Sequence, residues 1–146
     1  MISLDASVLD LPLVGERVGH LATVDQRGQP HVVPVCFAVA AGRLYTPIDE
    51  KPKRGTDLRR VRNLLANPRV CLTVDRYDED WFRLAWVQVR GRASLVDDPA
   101  ERSSAITALR EKYAQYGSMR LEDLPPIRIE PERVVRWAAD AGTGGA

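Results

Sequence analysis

The chain has 146 residues, 45% of them hydrophobic and 28% charged, and its 21 basic and 20 acidic residues give a net charge of +1. These values are typical of a globular protein, and the length suits one domain. A near-neutral chain gives no general case for binding nucleic acid, so we expect any preference for anions to be local. No apolar run reaches the length of about eighteen residues that a membrane-spanning helix needs. We therefore expect a cytoplasmic protein without nucleic-acid or membrane partners.

The first part of the chain predicts strands joined by turns. Residues 22–24 and 32–39 are rich in β-forming side chains, and the DQRGQP sequence at 25–30 supplies the turn between them. Residues 43–48 predict a third strand. Pro34 has no amide hydrogen to donate, so the strand that contains it should lie at an edge or carry a bulge.

Positive charge is concentrated between residues 51 and 69, where seven cations stand against one acid, Asp57. The cations are Lys51, Lys53, Arg54, Arg59, Arg60, Arg62 and Arg69. A helix start with unpaired N–H groups, bordered by guanidinium groups, is a natural seat for a phosphate. A solvated helix face beside a basic loop is the alternative, and charge alone does not decide between them.

A helix is predicted over residues 56–68, with the sequence TDLRRVRNLLANP. Thr56 or Asp57 can act as its N-cap, and Pro68 ends it. Its apolar side is expected to carry Leu58, Val61 and Leu65. Its polar side is expected to carry Arg59, Arg62 and Asn63, with Arg60 beside them.

The second part of the chain predicts a strand at 70–75, a polar YDEDW turn, a long strand at 83–96, and one or two strands at 127–139. In the long strand small and apolar residues alternate with bulky polar ones, which assigns them to opposite faces. The small and apolar set is Ala85, Val87, Val89, Gly91 and Ala93. We expect one domain over residues 1–140, an antiparallel barrel closed by helices, and a disordered tail at 141–146.

The clearest helix signal is the sequence DDPAERSSAITALREKYAQY. Asp98 can cap this helix, Pro99 suits its first position, and Glu101 would complete a capping box. Ile106, Leu109 and Tyr113 form its expected inward stripe.

Cysteine and histidine give no metal or disulfide pattern. Cys36 and Cys71 lie in separate apolar runs and are expected to be buried structural thiols. His20 and His31 lack an acidic partner at ligand spacing, so we expect no metal site.

The aromatic residues leave several interpretations open. Tyr77 and Trp81 lie in the YDEDW loop, which can close over a ring, form a dimer seam, or be a plain β-turn. Trp86 and Trp137 are interpreted as packing or dimer-interface residues.

The order of these segments resembles the flavin-binding split-barrel superfamily, the proteins similar to pyridoxamine 5′-phosphate oxidase. The likeness runs from about His20 to Val96, and the pieces LATVD..G.P, NPRV and V.GRA.LV carry it. The longer pattern DEKPKR, LRRVRNLLANPRV and YDEDW resembles a bacterial branch of F420-dependent enzymes. The resemblance implies a mainly β, antiparallel FMN-binding-type split β-barrel with inserted helices, and a homodimer with two cofactors in grooves between subunits. It also implies hydride transfer between the deazaflavin coenzyme F420 and a small unsaturated organic substrate.

The same resemblance implies a set of cofactor-binding residues. The cofactor phosphate should lie against Arg59 and Arg60. The cations ahead of that pair suit a tail of glutamates. The full set is Val33, Pro34, Val35, Tyr45, Thr46, Lys51, Lys53, Arg54, Arg59, Arg60 and Asn63.

Two departures argue against vitamin B6 chemistry. Residues 31–39 lack the arginine that pyridoxamine phosphate oxidases carry there, and no histidine follows His31. The alternatives are the same barrel holding flavin mononucleotide (FMN) or haem, and a cofactor-carrying protein without turnover. No catalytic side chain is assigned, since the coenzyme carries the electrons.

Overall fold

The computed structural model describes residues 11–48 and 58–139. Its strands are β1 (Gly19–Val24), β2 (Pro30–Val35), β3 (Ala38–Ala40), β4 (Arg43–Thr46), β5 (Arg69–Arg76), β6 (Ala85–Leu95) and β7 (Ile127–Ala138). Its α-helices are α1 (Leu11–Val14), α2 (Arg59–Ala66) and α3 (Pro99–Lys112), and short 3₁₀ turns cover Trp81–Arg83, Ala114–Ser118 and Leu121–Asp123. Within these ranges no helix has the length and apolar character needed to cross a membrane.

The strands form one seven-stranded sheet in the order β2-β1-β5-β6-β7-β4-β3. Every neighbouring pair is antiparallel, which confirms the predicted mainly antiparallel split-barrel class. β2 lies at one edge of the sheet, so Pro34 occupies the edge strand that its missing amide hydrogen requires.

The core lies on one face of the sheet and follows the alternation of its strands. In β6 the predicted small and apolar set faces inward, and Val87 and Val89 are fully buried. Leu21, Leu72 and Ile129 complete the same layer from β1, β5 and β7. Each buried aliphatic side chain of this size stabilises the fold by about 1.5–3 kcal/mol.

The long final strand carries one irregularity. Residues 127–138 form a single strand whose register against β6 shifts between Arg90 and Gly91. A Cβ at Gly91 would collide with the backbone carbonyl of Glu130. Glycine is therefore required where β6 passes the bulge of β7.

The strand predicted over residues 32–39 is broken in the structure, so that prediction was wrong in its bounds. β2 ends at Val35 and β3 begins at Ala38. Between them Phe37 is fully buried, and its N–H donates to the hydroxyl of Tyr113 at 3.0 Å. This long-range contact with the end of α3 turns the chain away from β1.

Both cysteines are half-buried, so the prediction of buried thiols was too strong. Cys71 lies on the outward side of β5, where partial burial still raises the pKa of its thiol.

The prediction for α2 had the wrong face. Leu65 is 67% exposed, whereas Leu64, Asn63 and Arg60 are buried with Val61. The sequence does not decide which side of so short a helix is buried, because Leu64 and Leu65 can each continue an apolar stripe from Val61.

Helix α2 begins directly after the first described residue of its segment, Leu58. Leu58 occupies the N-cap position without a side-chain hydrogen bond, and Asn67 is the C-cap, directly before the predicted stop at Pro68. Thr56 and Asp57, the predicted caps, lie outside the described residues.

Helix α3 begins as predicted, with Asp98 accepting from the N–H of Glu101 at 2.9 Å and Pro99 in the first turn. Ile106 and Leu109 are buried on its inward side, as is the C-cap Tyr113. The capping box is not completed, because the carboxylate of Glu101 turns toward β4 and β7 instead. The helix ends at Lys112 and a 3₁₀ turn follows.

Candidate cofactor site

A small cleft of about 210 Å³ opens where β2 and β4 end beside the start of α2. Four of the predicted cofactor residues meet there: Pro34, Val35, Thr46 and Arg60. Its other lining residues are Val18, Cys36 and Pro47. The walls are mostly apolar, with one hydroxyl, one thiol and one guanidinium group. This volume is below the roughly 300–1,000 Å³ of a complete small-molecule pocket, so these residues form one end of a larger site.

Arg60 is the charged group of this cleft. Its side chain is only 8% exposed, and its Nε atom is enclosed without a hydrogen-bond partner in the described part of the chain. Burying a charged group without a partner is costly, so an anion entering the cleft would gain an electrostatic partner already in place.

The start of α2 adds a second attraction for an anion. The first amide of the helix with an intrahelical bond is that of Arg62, which donates to the carbonyl of Leu58 at 3.0 Å. The amides of the preceding turn have no acceptor within the helix, and the N-cap residue, Leu58, has no side-chain oxygen that could accept from them. Helix starts of this kind bind phosphate and carboxylate groups.

The structure separates the two arginines that were predicted to act as a pair. Arg59 is exposed and lines a different cleft, of about 270 Å³, with Arg27, Arg62 and Asp25. Neighbouring residues on a helix point about 100° apart, so Arg59 and Arg60 leave the helix start in different directions. The phosphate role of Arg59 stays a prediction.

Asp25 fixes the backbone beside that second cleft, and its single negative charge does not cancel the charge of the three arginines there. Its carboxylate accepts hydrogen bonds from the backbone N–H groups of Gln29 at 2.9 Å and Arg27 at 2.8 Å. These bonds, helped by the charges of Arg27 and Arg59, lower the pKa of Asp25. The carboxylate thereby holds the β1–β2 turn in place.

Asn63 was predicted on the polar side of the helix, and that placement was wrong. Its side chain is 4% exposed, and its amide donates to the hydroxyl of Thr23 at 3.0 Å. Both groups are buried, so this bond fixes α2 against β1. Direct cofactor binding by Asn63 stays a prediction.

Of the predicted pair at the end of β4, Thr46 lines the Arg60 cleft and Tyr45 points elsewhere. Tyr45 packs under α3, and its hydroxyl donates to Glu101 at 2.7 Å. Burial, together with that carboxylate, raises the pKa of Tyr45 to about 12. Arg128 donates to the other oxygen of Glu101 at 2.7 Å. The phenol is thus engaged in a network that joins α3 to the sheet.

Of the remaining predicted residues, Val33 is described and is not among those lining the cleft. Val33 packs against the core from β2. Lys51, Lys53 and Arg54 lie outside the described residues, and their binding roles stay predictions.

Helix α3 supports the chain behind the cleft through Lys112, a contact that was not predicted from the sequence. The ammonium group of Lys112 donates to the carbonyls of Val14 at 2.8 Å and Phe37 at 2.9 Å and lies 3.5 Å from the Phe37 ring centre. Burial, and secondarily the charge of Arg17, lowers the pKa of Lys112 to about 8. These bonds hold the segment around Cys36. No local pattern signals them, because the partners are 75 and 98 residues apart.

Within the described ranges, no group of three or more metal-ligating side chains comes together. The cleft instead combines a buried guanidinium group and a helix start, which suit an anion, with apolar walls.

A family model described as pyridoxamine 5′-phosphate oxidase matches residues 9–138. The chain therefore belongs to the pyridoxamine 5′-phosphate oxidase family. It is 31% identical over 140 residues to 5a,11a-dehydrotetracycline/5a,11a-dehydrooxytetracycline reductase of Streptomyces rimosus, covering 90% of this chain and 83% of the relative. The family and this relative together indicate an oxidoreductase.

Solved structures agree on the fold. A conserved hypothetical protein from Mycobacterium tuberculosis superimposes with a TM-score of 0.71 at 22% identity, covering all of this chain and 92% of the other. An FAD-binding protein from Mesorhizobium loti gives a TM-score of 0.68 at 27% identity, covering 92% of this chain and 95% of the other.

Proposed function

We propose that this protein is an oxidoreductase that transfers hydride between coenzyme F420 and a small unsaturated organic substrate. The observation that carries the proposal is the buried Arg60, whose Nε atom has no hydrogen-bond partner among the described residues, beside the start of α2, where Leu58 supplies no side-chain cap. That arrangement suits the phosphate of a redox coenzyme.

The residues of the cleft fit the phosphate end of such a coenzyme. Arg60 and the first-turn amides of α2 would hold the phosphate, and Pro34, Val35 and Pro47 would pack against the carbon chain behind it. When bound, the coenzyme supplies a ring that accepts or donates hydride. The chain supplies orientation and exclusion of water, which requires no acidic or basic side chain.

The second cleft favours F420 over FMN. F420 carries glutamates beyond its phosphate, whereas FMN ends at the phosphate. Arg27 and Arg59 line a second cleft beside the helix start, together with Asp25 and Arg62, and its net positive charge would attract additional carboxylates. FMN is the alternative, favoured by the family and by the likeness to an FAD-binding protein.

The relative suggests the kind of substrate. Its name describes reduction of a dehydro compound, which has one carbon–carbon double bond more than its product. A conjugated double bond in a small ring system is therefore the first substrate class to test here.

The outward face of the sheet supports a homodimer. Val32 on the edge strand is 58% exposed, and Trp86 and Trp137 are register partners on that same face, both half-buried. Apolar and aromatic groups on an open sheet face are typical of an interface between subunits.

Spectra and binding isotherms test the coenzyme assignment. We expect the purified protein to bind F420 more tightly than FMN at low salt, with affinity rising with the number of glutamates. Tighter binding of FMN would replace F420 by FMN, a haem spectrum would replace both, and no binding of any of them would overturn the proposal. Oxidation of reduced F420 by enones or quinones separates an enzyme from a carrier.

A further inference from the structure

The outward face of the sheet carries opposite charges at its two ends. At one end a groove of about 550 Å³, here called the arginine groove, has an apolar floor that includes Ala22, Val24 and Cys71. Its cations are Arg69, Arg90, Arg92 and Arg133, against one acid, Glu132. This is more than twice the volume of the Arg60 cleft, with which it shares no residue.

The arginines of the groove stand opposite one another across neighbouring strands. Arg69 is the register partner of Arg92, and Arg90 is the register partner of Arg133. Like charges directly opposite one another on neighbouring strands are destabilising. Arg92 reaches Glu132 at 3.3 Å, while the Nε of Arg90 donates to the neutral side-chain amide oxygen of Gln88 at 3.0 Å and forms no ion pair with another described residue. The folded monomer thus keeps a repulsion that an anionic partner would relieve.

The other end of the same face is aromatic and acidic. The hairpin loop between β5 and β6, residues 77–83, exposes Tyr77 by 64%, Trp81 by 67% and Phe82 by 76%. Four acids lie at this end, against two arginines. The acids are Asp75, Asp78, Glu79 and Asp80, and the arginines are Arg76 and Arg83.

The acids of this end are not all neutralised. Asp78 pairs with Arg83 at 3.3 Å, and Asp80 caps the 3₁₀ turn through the amide of Phe82. Asp75 and Glu79 form no ion pair with another described residue.

We propose that the hairpin loop of a second copy of this chain docks in the arginine groove, and the reverse contact forms at the same time. The exposed aromatic rings would cover the apolar floor, and the free acids would meet the arginines. This inference rests on the homodimer of the proposed function and specifies how its two faces meet.

Symmetry selects this arrangement. When two identical sheet faces pack together, the two-fold axis lies in the plane between them. An axis parallel to the strands would bring arginine groove against arginine groove, which like-charge repulsion opposes. An axis across the strands brings each groove against the partner's loop. The seven steps of β5 from Arg69 to Arg76 separate the two contacts by about 23 Å, leaving Thr73 and Gln88 between them.

Charge reversal in the full-length protein tests this docking. The groove variant is Arg90→Glu with Arg133→Glu, and the loop variant is Asp75→Lys with Glu79→Lys. We expect each to weaken the dimer by about tenfold or more in sedimentation equilibrium, and their combination to restore it to within about threefold of wild type. A control with Glu111→Lys and Arg120→Glu, exposed near the end of α3, should leave dimerisation unchanged.

Several outcomes would overturn the inference. These are a wild-type monomer at all concentrations, unchanged dimers in both variants, or loss without rescue in combined variants that remain folded by circular dichroism. If the charge-reversed groove fails to fold, Arg90→Gln with Arg133→Gln replaces it, and an unchanged dimer again overturns the docking. Inorganic pyrophosphate binding to the dimeric protein through Arg90 and Arg133 would assign the groove to a small anion instead.

Coenzyme binding, measured on the same samples, keeps the two proposals apart. If both charge-reversal variants dimerise as tightly as wild type and still bind F420 or FMN, only the docking is contradicted. A wild-type protein that binds neither coenzyme contradicts the proposed function, whatever the reversals do to the dimer.

Discussion

Arg60 and Arg128 are both arginines whose Nε atoms are enclosed without a hydrogen bond in the described part of the chain, but their surroundings differ. Arg128 donates to Glu101 at 2.7 Å and to Ser94 at 3.0 Å, and a carboxylate oxygen of Glu130 lies 3.9 Å from its Nε. Arg60 has no such partner among the described residues and lines an open cleft.

The contrast separates a structural charge from a binding one. The charge of Arg128 is neutralised by carboxylates on α3 and β7, so its desolvation is offset within the fold. No carboxylate among the described residues offsets the charge of Arg60. A buried charge kept without such an offset is a mark of function.

The largest effect is expected for Arg60→Ala, measured as coenzyme affinity. Losing a charge-assisted hydrogen bond to phosphate should cost about 1.5–3 kcal/mol, or about ten- to 150-fold in Kd. The melting temperature should change little, because the free protein loses no partnered interaction. Isothermal titration with F420 and FMN measures the first and scanning calorimetry the second. Unchanged affinity would break the comparison.

Arg128→Ala is the matched control and should show the opposite profile. Removing it takes away the charged hydrogen-bond donor of Glu101 and leaves the hydrogen bond from Tyr45, and the free energy of unfolding should fall by about 2 kcal/mol. Coenzyme affinity of the folded protein should stay within about twofold. Urea unfolding and titration measure the two quantities. A stability loss equal to that of Arg60→Ala would remove the distinction.

Asp98→Ala sharpens the structural side of the comparison. Without its side-chain cap, α3 should lose about 1 kcal/mol of stability. The loss should appear in urea unfolding. Coenzyme binding should be retained, because Asp98 lies near Glu101 at the start of α3 and does not line the Arg60 cleft. Asp98→Ser should recover most of the lost stability, since serine also caps well. Equal losses in the two variants would show that the cap is not the cause.

The smallest effect is a dependence of stability on pH. Burial opposes ionisation of Glu101, but hydrogen bonds from Tyr45 and Arg128 outweigh it and lower its pKa below 4.5. Near pH 4.5 the unfolded chain therefore binds more protons at this group, so the contribution is full above that pH and is lost as pH falls through the folded pKa. In urea unfolding, wild type and Glu101→Gln should differ by a constant amount above pH 4.5 and converge below it. A difference that grows on acidification would contradict this assignment.

Local signals in the sequence predicted much of the fold. Asp98 and Pro99 mark the start of α3, and the alternation in residues 85–93 marks the buried face of β6. Each depends on neighbours within a few residues, which is why a sequence reveals it. Pro34 likewise identifies an edge strand through its own missing donor.

The candidate site was only partly predictable, because its geometry depends on distant contacts. Thr46 and Tyr45 are adjacent in sequence, yet only the tertiary position of Glu101, 56 residues from Tyr45, determines that the tyrosine turns away from the cleft. The break after Val35 requires Tyr113, which is 76 residues beyond Phe37. The phase of α2 depends on how Asn63 meets Thr23. None of these partners leaves a periodic pattern.

The Arg60 cleft is assembled from four separate stretches of chain, contributed by Val18, residues 34–36, residues 46–47 and Arg60. Its walls come together only after β1 pairs with β5 and β4 with β7, which are slow, long-range steps. An unfolded chain therefore offers a coenzyme nothing to bind, and by mass action the coenzyme should stabilise the native state by about 2.7 kcal/mol at a hundred times its Kd. Under the proposed function, the stability of this protein in the cell would therefore depend in part on the concentration of coenzyme.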